Sequence, residues 1–198
     1  MLGWLYIMIE KTYIEEEIFE GFTYRLNTEF YENYEYCTFK NCDFTEANLT
    51  GTKFLECEFH TCNLSNAKLL NVAFRDVRFV DSKILGAKFD DCINLLFSAS
   101  FDSCKVDHSS FYGLDIQKTV FYNSSLREVN FGNCNLQKAS FNGCDLAGAL
   151  FNNTHLEGAD LEGAVNYCID PTANRIKKAR FALPDVIGLL QHFDIKIR

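Results

Sequence analysis

From Tyr34 to Leu161 a large apolar residue returns at every fifth position, and this period limits the fold more than any other feature of the chain. The series runs Tyr34, Phe39, Phe44, Leu49, Phe54, Phe59, Leu64, Leu69, Phe74, Phe79, Ile84 and Phe89. After a slip of two residues it resumes at Phe101 and continues through Val106, Phe111, Ile116, Phe121, Leu126, Phe131, Leu136, Phe141, Leu146, Phe151, Leu156 and Leu161. A period of five fits neither the 3.6 of an α-helix nor the 2.0 of a β-strand, so no ordinary amphipathic element explains it. Two residues before most centres stands a small side chain: Cys37, Cys42, Ala47, Thr52, Cys57 and Cys62 open the column, and Ala139, Cys144, Ala149, Thr154 and Ala159 close it. One large and one small inward residue in every five, with polar residues between, makes each pentad one side of a narrow coil.

The pentads "CDFTE", "ANLTG", "CNLQK", "CDLAG" and "ADLEG" resemble the pentapeptide-repeat family. That resemblance implies an all-β solenoid, a right-handed quadrilateral β-helix with four pentads to the coil. Each coil touches only its neighbours, and stacking buries one continuous core. The expected organisation is an N-terminal cap over 1–33, a pentapeptide-repeat β-helix over 34–163 with a register slip at 92–100, and a C-terminal helical cap and dimerisation segment over 164–198. The slip is expected to be a bulge whose apolar residues pack inward. In the tail, Asp170–Pro171 predicts a short basic helix through Ala179, and Leu183–Pro184 a second helix. The tail, in "AVNY", "RFALP" and "FDIKI", resembles the quinolone-resistance and topoisomerase-poison-immunity members of the family. By that resemblance Phe181, Leu183, Val186, Ile187, Leu190, Phe193, Ile195 and Ile197 are candidates for a twofold dimer interface.

Composition excludes several other classes. No apolar run reaches the 18 or more residues of a membrane span. The opening "MLGWLYIMIE" lacks a basic region and a small-residue cleavage site, so a cytoplasmic protein is expected, with Met1 or Met8 as its start. Seven of the nine cysteines fall in the small inward column, where a thiol acts as a small hydrophobe; packing rather than metal binding or disulfide formation is the expected role. No catalytic constellation is present. His60, His108, His155 and His192 are scattered, and Ser109, Ser110, Ser124 and Ser125 occupy repeat positions without a paired His and Asp. Neither a phosphate loop nor any cofactor signature occurs. The expectation is a non-enzymatic binding protein.

The formal net charge is −8, and the acidic excess lies in the first 36 residues and the repeats, while the tail is basic. Assigning outward residues to four sides puts Glu35, Glu56, Asp76, Asp102, Asp160 and Glu162 on one side, an acidic ridge and the candidate partner-binding surface. Family resemblance implies a DNA mimic that occupies the DNA-binding saddle of gyrase or topoisomerase IV and protects it from quinolones or peptide poisons. The alternative is a structural or signalling scaffold that binds another protein through its flat faces, hinted at by Leu55, Leu70, Val80 and Leu85. Direct nucleic-acid binding is disfavoured by charge, despite Arg175, Lys177, Lys178 and Arg180.

Overall fold

A computed structural model of the chain describes residues 13–24, 33–193 and 195–196. Its strands are short and all pair in parallel, each with the segment one coil away. Tyr34 lies beside Phe54 and Phe54 beside Phe74, and Phe39 lies beside Phe59 and Phe59 beside Phe79. Four sides result, designated A to D in chain order. Before the slip their centres are Tyr34, Phe39, Phe44 and Leu49, each repeated every twenty residues. Through the slip, sides A and B carry runs of three or four paired residues, whereas sides C and D, and later every side, are held mainly by single bridges such as Asp43 with Asn63 and Asp115 with Asn135.

The corners explain the polar part of the repeat. At the last residue of almost every pentad the backbone takes the left-handed conformation, as at Asn41, Asn66, Asn71 and Gly143. Glycine enters that region without steric cost, and Asn tolerates it better than most residues. The Asp or Asn just before a centre caps the turn after it: Asp43 Oδ1 accepts the backbone N–H of Thr45 at 2.9 Å, and Asn130 Oδ1 accepts that of Gly132 at 2.9 Å. Asx side chains favour turns through this contact.

Inside, the aromatic centres form ladders. On side B, Phe39, Phe59, Phe79, Phe101, Phe121 and Phe141 stack with ring centroids 4.7 to 5.2 Å apart. Rings from neighbouring columns meet edge to face, as Phe111 does with Phe121 at 5.8 Å. Each is fully buried, and burial of a side chain this large contributes about 1.5–3 kcal/mol before conformational entropy is set against it.

At the slip the structure corrects the side assignment. Phe101 pairs with Phe79 and stacks on it at 5.2 Å; it does not continue the column of Tyr34, Phe54 and Phe74. The twelve residues from Phe89 to Phe101 therefore cover two sides, one of them inside the slip. There a 3₁₀ turn at Phe89–Asp91 leads into a loop, and Phe97 turns inward against Phe74 and Phe89, with centroids 6.2 and 6.1 Å away. Side A then resumes at Ile116, Leu136 and Leu156. The inward packing expected here holds for Cys92 and Phe97, but Leu95 and Leu96 are 72% and 65% exposed.

Paired backbone also extends past both ends of the periodic stretch. Tyr13–Glu15 and Ile18–Glu20 join the sheets beside Asn33–Glu35 and Thr38–Lys40. At the other end, Val165, Arg175 and Arg180 bridge to Asp145, His155 and Asp160. The helix predicted from Asp170 to Ala179 is absent, because this segment makes another pass of the coil, with Ile176 turned toward the core. The second predicted helix is a pair of 3₁₀ turns, Asp185–Leu189 and Gln191–Phe193. They lie against the last coil through Gly188, whose carbonyl accepts the N–H of Ile169 at 3.2 Å.

Candidate protein-binding surfaces

With its interior filled by rings, the chain has its outer sides and its C-terminal end left for recognition. The six acidic candidates do not share a side. Glu35, Glu56 and Asp76 lie on side A or at its corner with side B, whereas Asp102, Asp160 and Glu162 lie on side B. The two groups occupy adjacent sides, so the acidic track steps across one corner at the slip.

Their surroundings differ as well. The hydroxyl of Tyr13 donates to Glu35, and Ser98 Oγ donates to Asp76 at 2.9 Å. The Glu56 carboxylate, ahead of burial and Glu35, raises the pKa of the Tyr36 hydroxyl; the hydrogen bond to Glu35, ahead of the other causes, raises that of Tyr13. Both phenols thus report a negative field at this end of side A. Asp160 is ion-paired with Arg180, so its charge is largely offset.

Buried polar groups in the small column hold the backbone. Ser82 Oγ accepts the N–H of Cys62 at 3.0 Å and donates to the carbonyl of Val80 at 2.9 Å. Ser109 does the same between Ala87 and Ile84, and Ser124 between Cys104 and Tyr122. All nine cysteines are free. Burial pushes the thiols of Cys57, Cys62, Cys104, Cys134 and Cys144 up to about 12, so they are held as neutral thiols at neutral pH. Cys168 is half-buried, with Sγ 3.3 Å from His192 Nε2. His60 and His108 face outward against Glu58 and Glu128 at 2.7 and 3.0 Å. Among the described residues, no three His, Cys, Asp or Glu side chains gather as a metal site would require. Nor is any helix among them long and apolar enough to cross a membrane.

The tail candidates divide by exposure. Phe181 packs on the core beside Tyr167, at 5.7 Å, and Val186 is half-buried. Leu183 is 84% exposed, and Ile187, Leu190, Phe193 and Ile195 are exposed with it. Ile197 lies outside the described residues. Of the apolar residues singled out on the flat sides, Leu70 is exposed, whereas Leu55, Val80 and Leu85 are half-buried. Sequence reasoning missed the exposed pair Leu95 and Leu96; their departure from the five-residue period was the available signal.

Comparison with known proteins fits this geometry. Family models for pentapeptide repeats match residues 33–60 and 57–93, and one for a pentapeptide repeat region matches 93–161. The chain belongs to the pentapeptide-repeat family. Among solved structures it is similar to a trypsin-treated form of QnrB1, a plasmid-mediated fluoroquinolone resistance protein: TM-score 0.62 and 17% identity, over 94% of this chain and 100% of that one. It is also similar to HetL of the cyanobacterium Nostoc, a pentapeptide-repeat protein involved in heterocyst differentiation regulation: TM-score 0.51 and 16% identity, over 84% of each chain. At these identities the likeness is one of fold. No curated protein matches the chain in sequence.

Proposed function

We propose that this protein is a non-enzymatic rod that binds a type II topoisomerase, gyrase or topoisomerase IV, in place of DNA and so protects it from quinolones or peptide poisons. The observation that carries the reading is an acidic track along a rod whose interior is closed by stacked rings. Carboxylates at Glu35, Glu56, Asp76 and Asp102 would meet the basic groups that otherwise hold phosphates, with a steep dependence on salt. The exposed Leu183, Ile187, Leu190, Phe193 and Ile195 support a twofold dimer formed end to end through the tail, which doubles the length of the rod. Nine unbridged thiols suit a reducing compartment, and the cytoplasm is the proposed location. The second reading is a scaffold for some other protein, and Leu95 and Leu96, exposed beside a flat side, favour it.

The test is gyrase supercoiling across a titration of the protein, with and without a fluoroquinolone, at two salt concentrations. Protection or inhibition that weakens with salt and disappears in the triple variant Glu56→Lys/Asp76→Lys/Asp102→Lys is the expected result. No effect at any concentration would leave the scaffold reading.

A further inference from the structure

The corner where side A turns into side B departs from the other three. Its left-handed positions are Glu16, Tyr36, Glu56, Asp76, Lys118, Lys138, Gly158 and Lys178; in the slip coil between Asp76 and Lys118, Ser98 stands level with Asp76, and the left-handed Leu96 lies two residues earlier in the loop. The next corner holds mainly Gly, Asn and Ser, among them Gly21, Asn41, Ser103, Asn123 and Gly143, as this backbone conformation favours. The A–B corner instead sets charged side chains at six of these eight positions, against local preference. All six are exposed, and among the described residues none of them is in an ion pair.

The order of these residues is antisymmetric about the slip coil, whose loop carries Leu96. Moving outward from it, Asp76 mirrors Lys118, Glu56 mirrors Lys138, Tyr36 mirrors Gly158 and Glu16 mirrors Lys178. Every acid answers a lysine, and the one large side chain answers the one glycine. On side A itself Glu15 mirrors Lys177, and Tyr13 mirrors Arg175. Glu35 opposite Glu157 is the one like-charge match. At the centre stand Leu95 and Leu96, the exposed apolar pair of the slip.

We infer that side A, with its corner, docks a second copy of this chain, antiparallel, about a twofold axis at the level of the slip coil and its Leu96. Such an axis crosses the rod at right angles within the plane of the contact and places each coil of one copy opposite its mirror coil in the other. The interface is isologous, so each acid–lysine match occurs twice. It has an apolar centre and a charged rim, the ordinary anatomy of a protein contact. This pairing differs from one through the tail and does not need a topoisomerase; because it covers Glu35, Glu56 and Asp76, it would compete with topoisomerase binding on that side.

Cross-linking at position 96 tests it in the full-length protein. A Leu96→Cys/Cys168→Ser chain puts a single exposed thiol at the proposed axis. Side-by-side pairing brings two such thiols together. Pairing through the tails alone leaves them about 40 Å apart, since four coils of about 4.8 Å separate Leu96 from the last coil in each copy. In that background Glu56→Lys/Asp76→Lys leaves Glu16 as the one acid of the corner, and Lys118→Glu/Lys138→Glu leaves Lys178 as its one base. The expected result is efficient cross-linking of the parent at low salt and a loss of about tenfold or more in each charge variant alone. Mixing the two variants, one carrying a mass tag, should restore cross-linking as a heterodimer. The neutral variant Glu56→Asn/Asp76→Asn keeps a residue suited to the corner, so it should retain the fold while cross-linking falls. Absence of a cross-link in the parent overturns the proposal. So does cross-linking that ignores charge reversal, or a mixture that behaves like its parts.

Discussion

The coils before the slip and those after it fill the same core with different sides. Before it, rings form columns on A and B, in Tyr34, Phe54 and Phe74 and in Phe39, Phe59 and Phe79, with Phe44 on C and Phe89 on D besides. After it they stand on B and D, in Phe101, Phe121 and Phe141 and in Phe111, Phe131 and Phe151, while A and C hold Ile, Leu and Val. The coils that begin at Phe54, Phe101, Phe121 and Phe141 carry two rings each, whereas the one that begins at Tyr34 carries three, Tyr34, Phe39 and Phe44. Where the second column moves from A to D the two arrangements overlap. Phe74, Phe89, Phe97 and Phe101 then crowd one level of the core. The slip falls where one aromatic column gives way to another.

The largest effect should come from removing a ring at this exchange. Phe101 stacks between Phe79 and Phe121 and meets Phe89 and Phe111 edge-on. Phe101→Ala should cost about 3–5 kcal/mol, read from the midpoint of guanidinium unfolding. Phe97→Ala should cost less, since Phe97 has only edge contacts with Phe74 and Phe89 and lies in the loop. Equal losses would mean that Phe97 is a full member of the column and that the crowding argument is wrong.

Next in size is the C-terminal end. A Cβ on Gly188 would stand 2.1 Å from the backbone oxygen of Tyr167, a clash that no side-chain rotation relieves. Gly188→Ala should cost about 1–3 kcal/mol and loosen the 3₁₀ cap while the repeats keep their circular dichroism. Hydrogen exchange confined to residues after 165 would show it. A smaller effect is expected in the small column. Ser82→Ala leaves the buried N–H of Cys62 without its acceptor and should cost about 1–3 kcal/mol, toward the lower end if water reaches it. Ser82→Cys should recover part of that in the same unfolding assay, because Cys57 and Cys62 show a thiol meeting carbonyls here.

The repeat, its four sides and most ring ladders were legible because Phe and Leu at a strict spacing leave no other fold. The ends were not. Ile14, Phe19 and Tyr24 keep the spacing, but the position two before Phe19 is Glu17 and that before Tyr24 is Phe22, both exposed. Without its small column the first coil does not announce itself. At the other end Asn174 takes the small position, its amide accepting the N–H of Thr154 and donating to the carbonyl of Phe151, both at 2.9 Å. Beside Asp170–Pro171 that stretch has the look of a helix start. For the candidate surface, the acidic residues could be read from sequence but their sides could not. Phe97 stands off the period, so one side is lost in counting, and every residue after it shifts by a quarter turn.

The smallest effect concerns ion pairs between coils on either half of the rod. On side B before the slip, Glu58 contacts His60 at 2.7 Å and Arg78 of the next coil at 3.1 Å; on side C after it, Arg127 contacts Asp145 at 2.6 Å. The hydrogen bond from His60, then the charge of Arg78, lowers the pKa of Glu58 against the opposing effect of burial. A depressed carboxylate stabilises the fold above its unfolded pKa, about 4.3 for Glu, and that contribution fades as pH falls through the lower folded value. Glu58 is partly open to solvent, so screening holds the contribution to about 0.5 kcal/mol or less. Glu58→Gln should therefore lie slightly below the parent in stability at pH 7, and the gap should close as pH falls below about 4. Unfolding midpoints at pH 7, 5 and 3 measure it. A gap that widened toward acid would mean that the carboxylate is tied more loosely in the folded coil than in the unfolded chain.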